Sequence, residues 1–365
     1  MSDVIEAAPV APVPDRLIIS GSGGSLLGIH LIGLLLSMIT FGIYRFWWRT
    51  NVRRYLWSCV SYKDEPFEYT GRGLELFVGF LIAFILILLP LMGVYFLGIT
   101  LIQSGKFLLG FVIVFGIYLG FFVLYGAAIY RVMFYRISRT RWRGVRGALG
   151  GSAWRYAFKF FGLSLLQIVT LGFATPYVST RLYGYVIGNV WFGSGRFRCD
   201  PDWRPLFKYY LVPGIIRMIG ALLLIVGAIV MAMSRPKTAD PSEPMQLAMV
   251  MGSSVYFLGF LVLLISVIAM FWYTAALYRH LASVTEFEGV RFTARVKGGQ
   301  YALFVIVNWL MIIFTLMIAY PWVQMRVLRF VADALDIHGE PDFERISQNT
   351  AETPRFGEGL GEVFL

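Results

Sequence analysis

An all-α polytopic membrane protein is the fold class this sequence predicts, from long uncharged apolar runs, a low charge content and a motif that recurs three times. Hydrophobic residues fill 58% of the 365 positions and charged residues 15%, against roughly 25% charged in a soluble domain. Residues 74–102, 107–130, 215–233 and 255–278 each supply about the 20 apolar positions that cross a hydrocarbon core of about 30 Å. No acidic residue lies deep in any of them, and Arg217 is near enough to one end to snorkel to the interface. Runs of this length and polarity exclude an ordinary soluble fold, because such helices would have no polar face to turn to water.

The net charge of +11 does not make the chain a nucleic-acid binder. Its Lys and Arg flank the apolar segments instead of forming a soluble basic module, as they do on the cytoplasmic side of membrane proteins. Cys59 and Cys199 lack metal or redox spacing and fall in segments read as cytoplasmic loops, where reduced thiols are the rule. Residues 1–16 hold Asp3, Glu6 and a run of Ala and Pro without a basic start or an apolar core. They read as a disordered tail and not as a signal peptide.

The recurring motif organises the chain. Thr40-Phe-Gly-Ile-Tyr-Arg-Phe-Trp47 is echoed by Thr170-Leu-Gly-Phe-Ala-Thr-Pro-Tyr177 and again by Thr315-Leu-Met-Ile-Ala-Tyr-Pro-Trp322. A second aromatic follows each copy at the same interval, as Tyr55, Tyr185 and Phe330, with Arg53 and Arg54, Arg181, or Arg326 and Arg329 in between. Each copy then reaches a polar turn: Lys63-Asp-Glu-Pro-Phe67, Gly193-Ser-Gly-Arg-Phe197 and His338-Gly-Glu-Pro-Asp-Phe343. Gly and Pro beside β-formers there predict a hairpin or tight loop.

The fold class is therefore three pseudo-repeats of helix-break-helix-turn, the first two each followed by a transmembrane helix pair. Gly42 and Gly172 weaken the helix at the break, and Pro176 and Pro321 keep it from running through. Met317 replaces the glycine in the third copy, leaving only the proline to mark the break. The chain divides into a tail at 1–16, repeat 1 with its pair at 17–135, repeat 2 with its pair at 136–280, the third signature unit at 281–347 and an acidic tail at 348–365.

Several motifs carry a resemblance: Gly21-Ser-Gly-Gly24, Thr40-Phe-Gly-Ile-Tyr44, Arg53-Arg-Tyr55, Phe67-Glu-Tyr-Thr-Gly71, Arg141-Trp-Arg-Gly-Val-Arg-Gly147 and Gly357-Glu-Gly359. In order and spacing the chain resembles the YjgN-like family of bacterial inner-membrane proteins, a domain of unknown function. The resemblance implies a polytopic protein of the bacterial inner membrane, with no activity or substrate to carry across. Phe41 in place of Leu and Met317 in place of Gly depart from that pattern at the breaks.

Hydropathy alone gives seven spans, since residues 26–44, 160–177 and 302–322 are also long and apolar. Seven spans would invert the second repeat and put the basic residues after Thr170 and around Arg291, Arg295 and Lys297 outside. The basic residues instead keep one phase through all three units, as parallel repeats do. Four spans leave only Lys106, Arg235 and Lys237 outside, make the C-terminus cytoplasmic, and let the signature units dip into the inner leaflet.

The densest basic-aromatic patches are candidate sites for anionic lipid or another anionic ligand: Trp47, Arg53, Arg54, Tyr55, Arg181, Tyr185, Trp322, Arg326 and Arg329. Guanidinium forks suit phosphate and rings suit the interface, although an ordinary interfacial belt has the same composition. The cluster Arg139, Arg141, Arg143 and Arg146 needs no role beyond orientation. No pair among His30, His280 and His338 has metal-ligand spacing, and Glu75 reads as an interfacial acid beside Arg72. Phosphate-cradling, nucleophile-elbow and His-Glu-x-x-His motifs are missing, so no catalytic residue, metal or cofactor is expected.

Two function classes remain. One is transport, a channel or lipid handling, with membrane lipids as partners; the other is a non-transporting scaffold that organises the envelope, alone, as a homo-oligomer or with a protein partner. The absence of paired intramembrane carboxylates favours a lipid route or scaffold over an ion pump. The span count has a direct check. In a background lacking Cys59 and Cys199, a Ser194→Cys variant on intact cells should resist a membrane-impermeant thiol reagent, and strong labelling would overturn the four-span reading.

Overall fold

The computed structural model describes residues 14–234, 243–340 and 346. Residues 1–13, Arg235, Lys237, the Pro341-Asp-Phe343 end of the third turn and the acidic tail with Gly357-Glu-Gly359 lie outside the described residues. The chain opens with β1 (Ile18–Ile19), the helix pair α1 (Gly23–Ile39) and α2 (Arg45–Ser58), and β2 (Val60–Tyr62), β3 (Glu65–Pro66) and β4 (Glu68–Tyr69). Next, α3 (Gly73–Ala83) runs through a π-helical turn at Phe84–Leu88 into α4 (Leu89–Gln103), and α5 (Phe107–Ser138) returns. β5 (Thr140–Trp142) and β6 (Val145–Leu149) lead to α6 (Ala153–Val169) and α7 (Thr175–Ile187), then to β7 (Val190–Phe192) and β8 (Gly195–Cys199). The long pair α8 (Arg204–Met233) and α9 (Glu243–Ser283) follows, then β9 (Thr285–Phe287) and β10 (Val290–Ala294). The last pair is α10 (Gly298–Phe314) and α11 (Tyr320–Ala334), which ends in β11 (Leu335–His338).

Among the described residues four helical stretches are long and apolar enough to cross a membrane: Gly73–Gln103, Phe107–Ser138, Arg204–Met233 and Pro244–Ser283. They contain the four stretches read from the sequence. Helices α1, α6 and α10 are each 17 residues long. At about 1.5 Å per residue such a helix reaches about 25 Å, short of a hydrocarbon core of about 30 Å.

The breaks are built alike in hydrogen bonds. In each, the threonine hydroxyl donates to the carbonyl four residues back and accepts from the amide four residues on. Thr40 bonds Leu36 and Tyr44 at 2.7 and 3.0 Å. Thr170 bonds Leu166 and Ala174 at 2.8 and 3.1 Å, and Thr315 bonds Met311 and Ala319 at 2.5 and 3.0 Å. Two residues past each threonine, an amide closes the helix end onto a carbonyl five back: Gly42 to Ser37, Gly172 to Gln167 and Met317 to Ile312, at 2.7, 2.7 and 2.8 Å. That bond needs left-handed backbone, with φ of 86° at Gly42, 87° at Gly172 and 69° at Met317. Met317 thus takes up the glycine's conformation itself, and the third break does not depend on its proline. Pro176 and Pro321 stand in the first turns of α7 and α11, where a missing amide costs nothing.

The all-α expectation needs correction, because the hairpins join into a closed ring of strands. One sheet runs β11-β10-β9-β8-β7-β6-β5-β4 and the other β1-β2-β3. Asp15 and Ile337 exchange backbone bonds of 2.9 and 3.0 Å, which ties the chain entering β1 to β11. On the other side β3 and β4 are halves of one strand, joined by Phe67, whose amide donates to Val60 at 2.9 Å. Two-residue turns at Lys63-Asp64, Arg143-Gly144 and Glu288-Gly289 have positive φ at both positions, the geometry that matches strand twist. The cluster Arg139, Arg141, Arg143 and Arg146 lies on and beside one of these hairpins, β5–β6.

Every strand-to-helix junction points to the same side of the ring, so the helices form a second ring beside it. Besides the partners within pairs, α2 packs on α3, α5 on α6, α7 on α8, α9 on α10 and α11 on α1. Pair α8/α9 packs closely, because Gly220 and Gly227 face Gly259 and Gly252; a Cβ on Gly227 would lie 2.5 Å from the Tyr256 amide nitrogen. The Gly116/Gly120 spacing, by contrast, faces open space. A Thr170→Val substitution should keep the shape of that turn but leave the Ala174 amide unpaired. We expect a loss of about 1–3 kcal/mol, read as a lower melting temperature in detergent.

Candidate functional site

The basic-aromatic residues singled out from the sequence lie on the second arms of the three broken pairs, and most are engaged in holding those arms. Tyr55 donates to the Ser22 carbonyl and accepts from the Ser22 amide, both at 3.0 Å, pinning the start of α1. Tyr185 does the same to Ser152 at the start of α6, at 3.0 and 3.2 Å. Phe330, in the corresponding place, stacks on Phe304 at 4.2 Å. Trp47 packs against the start of α3, where a Cβ on Gly73 would meet it at 2.7 Å, and Trp322 closes over Gly23 in the same manner.

The arginines divide. Arg54 donates to the Gly71 carbonyl at 3.3 Å and Arg329 to the Gly21 carbonyl at 2.8 Å, so each reaches the loop that starts a neighbouring helix. Arg53 lies over the Tyr69 ring and donates to its hydroxyl at 3.3 Å, and Arg326 donates to the Met311 sulfur at 3.4 Å. Arg181 rests on the Tyr177 ring at 5.3 Å with its side chain exposed. The structure does not gather these side chains into one site. Arg329 joins Tyr55 near Gly21 and Ser22, since α11 packs on α1, while Arg181 stands apart on α7.

Two grooves remain beside these arms. Between α1 and α2 a space of about 420 Å³ is lined by Ile29 and Ile32 from α1 and by Trp48, Asn51, Arg54 and Ser58 from α2. Beside α7 a polar cleft of about 350 Å³ holds Lys159, Arg181 and Arg196 against the one carboxylate of Asp200. Lys159 sits over Tyr185 at 4.9 Å, and Arg196 donates to the Gly188 carbonyl at 2.8 Å. The tips of the three broken pairs carry bare apolar side chains, with Phe41 99%, Val169 81% and Leu316 85% exposed.

Two other charged residues differ from their sequence reading. Glu75 pairs with Arg139 at 2.9 Å and accepts from Tyr135 at 3.0 Å, not with Arg72. Arg217 lies against the break at Gly172, so close that a Cβ there would be 3.0 Å from its Cδ. Tyr210, one of the largest fully buried side chains, caps that break by donating to the Gly172 carbonyl at 2.5 Å. Burial pushes the Cys59 and Cys199 thiols up, which keeps them protonated and poorly nucleophilic. His30 shares a hydrogen bond of 2.9 Å with Gln324, and among the described residues no three His, Cys, Asp or Glu side chains gather as metal ligands.

The family of bacterial proteins of unknown function DUF898 matches residues 15–363. The chain belongs to that family. It is 26% identical over 187 residues to the inner membrane protein YjgN of Salmonella typhimurium, across 48% of this chain and 42% of that relative. The match therefore spans less than half the relative's length. No solved structure matches the chain.

Sequence reasoning missed the hairpins at 140–149 and 285–294, although Thr140-Arg-Trp-Arg-Gly-Val and Thr285-Glu-Phe-Glu-Gly-Val share one pattern of β-former, charged residue and Gly turn. The tyrosine clamps have a simple check. Tyr55→Phe or Tyr185→Phe keeps the ring that Phe330 shows to be tolerated there and should cost about 1 kcal/mol. Amide exchange at the start of α1 or α6 should then speed up by about fivefold.

Proposed function

We propose that the protein is a multi-pass protein of the bacterial inner membrane that binds and handles anionic lipid on its cytoplasmic side. In this reading the four long helices cross the bilayer. The three broken pairs are copies of one module that dip into the inner leaflet without crossing it, the C-terminus is cytoplasmic, and the chain is not an enzyme. The observation that carries the reading is the pairing of bare apolar tips with cationic second arms: the α1/α2 groove runs from Ile32 and Trp48 to Arg54, and the cleft beside α7 holds Lys159 and Arg181. Such a pair would set its tip among acyl chains and its second arm among headgroups, where each Lys or Arg contributes about 1 kcal/mol near an anionic surface. The relative's name as an inner membrane protein agrees with this location. The four long helices contain no acidic pair that would start a proton relay, which favours lipid over ions as cargo.

Lys159 and Arg181 test the reading best, because both are exposed and rest on ring faces, whereas Arg329 also holds a loop carbonyl. A Lys159→Gln/Arg181→Gln variant should insert and fold normally. Its co-purified phosphatidylglycerol, measured by native mass spectrometry, should fall by about tenfold or more for two lost contacts, with phosphatidylethanolamine unchanged. Unchanged phosphatidylglycerol in a folded variant would leave the cations as an orienting belt and the protein as an envelope scaffold.

A further inference from the structure

The geometry points to a second lipid site: the interior of the strand ring takes one acyl chain of a membrane phospholipid, which enters from the helix side. Nothing in the family or its relative assigns a role to this space. The inference rests on the lipid-handling reading and deepens it by naming where the hydrocarbon goes.

The ring encloses a cavity of about 360 Å³, within the range of small-ligand sites of about 300–1,000 Å³. Its lining tapers. At the hairpin end stand the bulky rings of Tyr62, Trp142, Phe192 and Phe287, next to the turns. Trp142 touches Tyr62 and Phe192 with ring centroids at 5.5 and 6.0 Å, and Phe192 touches Phe287 at 6.2 Å, so this end is closed by an aromatic belt. At the helix end the lining is smaller, from Ile137, Thr140, Val190 and Leu335. The wide mouth therefore faces the helices and the bilayer.

Apart from the Trp191 indole, whose ring lies under Arg196, the polar side chains in this lining are already bonded. Thr140 donates to the Arg136 carbonyl at 2.8 Å and accepts from Trp57 at 2.9 Å, and the Trp142 indole donates to the Glu65 carbonyl at 3.1 Å. Tyr62 turns its hydroxyl to Asp15 at 3.2 Å, out toward the charged rim. A single indole N–H cannot hold an ion or a row of waters, and a dry apolar space of this kind suits hydrocarbon. On the rim, Lys63 pairs with Glu340 at 2.8 Å and with Asp15 at 3.6 Å, beside the charged turns Arg143-Gly144 and Glu288-Gly289. An apolar chain would have to pass these charges to enter from that side.

The test uses the full chain in vesicles of phosphatidylethanolamine and phosphatidylglycerol, doped with a phospholipid carrying a diazirine at one chain terminus. After illumination, peptide mapping should find label on β5–β10 as well as on the long helices. Val190→Trp, which fills the helix-side mouth, should cut strand labelling by about tenfold while helix labelling stays constant. Phe197→Ala, which widens the chamber, should raise it; opposite responses separate occupancy from misfolding. Labelled long helices with unlabelled strands in the unaltered protein would overturn the proposal, and so would strand labelling by a soluble diazirine fatty acid but not by the phospholipid. A lipid with its diazirine on the headgroup reports on the α1/α2 and α7 grooves alone. Loss of that signal with strand labelling intact sinks the headgroup reading and spares the chamber; the reverse result does the opposite.

Discussion

Every part of this structure answers to the demand that backbone amides and carbonyls find partners where water is scarce. A helix that reverses frees several such groups at its turn, and each needs a partner. Thr40, Thr170 and Thr315 answer that demand with one hydroxyl each, donating back and accepting forward across the turn. The left-handed residue two positions on closes one further carbonyl. With the backbone turn bonded in this way, the tips carry Phe41 and Leu316 bare.

The strand ring meets the same demand. An open sheet leaves unpaired edges, and closure alone removes them. Here the two ends of the chain supply the last pairing, through Asp15 and Ile337, and ion pairs reinforce the seam. Asp336, with its side chain 5% exposed, is held between Arg16 at 3.1 Å and Arg295 at 2.6 Å. Closing the strands also closes the helices, because each hairpin fixes the distance between the helix before it and the helix after it. The result is a ring of helix pairs whose members touch mainly their neighbours and whose outward faces, with residues such as Leu86 and Leu108, are apolar and exposed.

The cations take their roles from this arrangement. Arg54 and Arg329 reach the loops that enter α3 and α1, Arg139 pairs with Glu75, and the arms are thereby locked in register with the ring. Lys159 and Arg181 instead lie on ring faces at the surface of a cleft. A basic residue near a membrane is thus read by its partner before it is read by its charge.

Composition and hydropathy determined the membrane class and the four long helices, because transfer of apolar side chains into lipid is local and additive along the chain. The three threonine turns were legible for a related reason: a helix break is set by a few adjacent residues, and Thr-x-Gly states its chemistry within one turn. Met317 shows the limit of that reading, since its left-handed φ of 69° is imposed by the hydrogen bonds around it and not by its own preference. The ring of strands was not legible. Its members are two to five residues long, too short for an alternating pattern to stand out, and they are separated by helices of up to 41 residues. The partners of Glu75 and Arg329 were hidden likewise, because Arg139 and Gly21 lie far away in the chain. What a residue does within one turn was written in the sequence; which distant residues it meets was decided only when the last strand closed on the first.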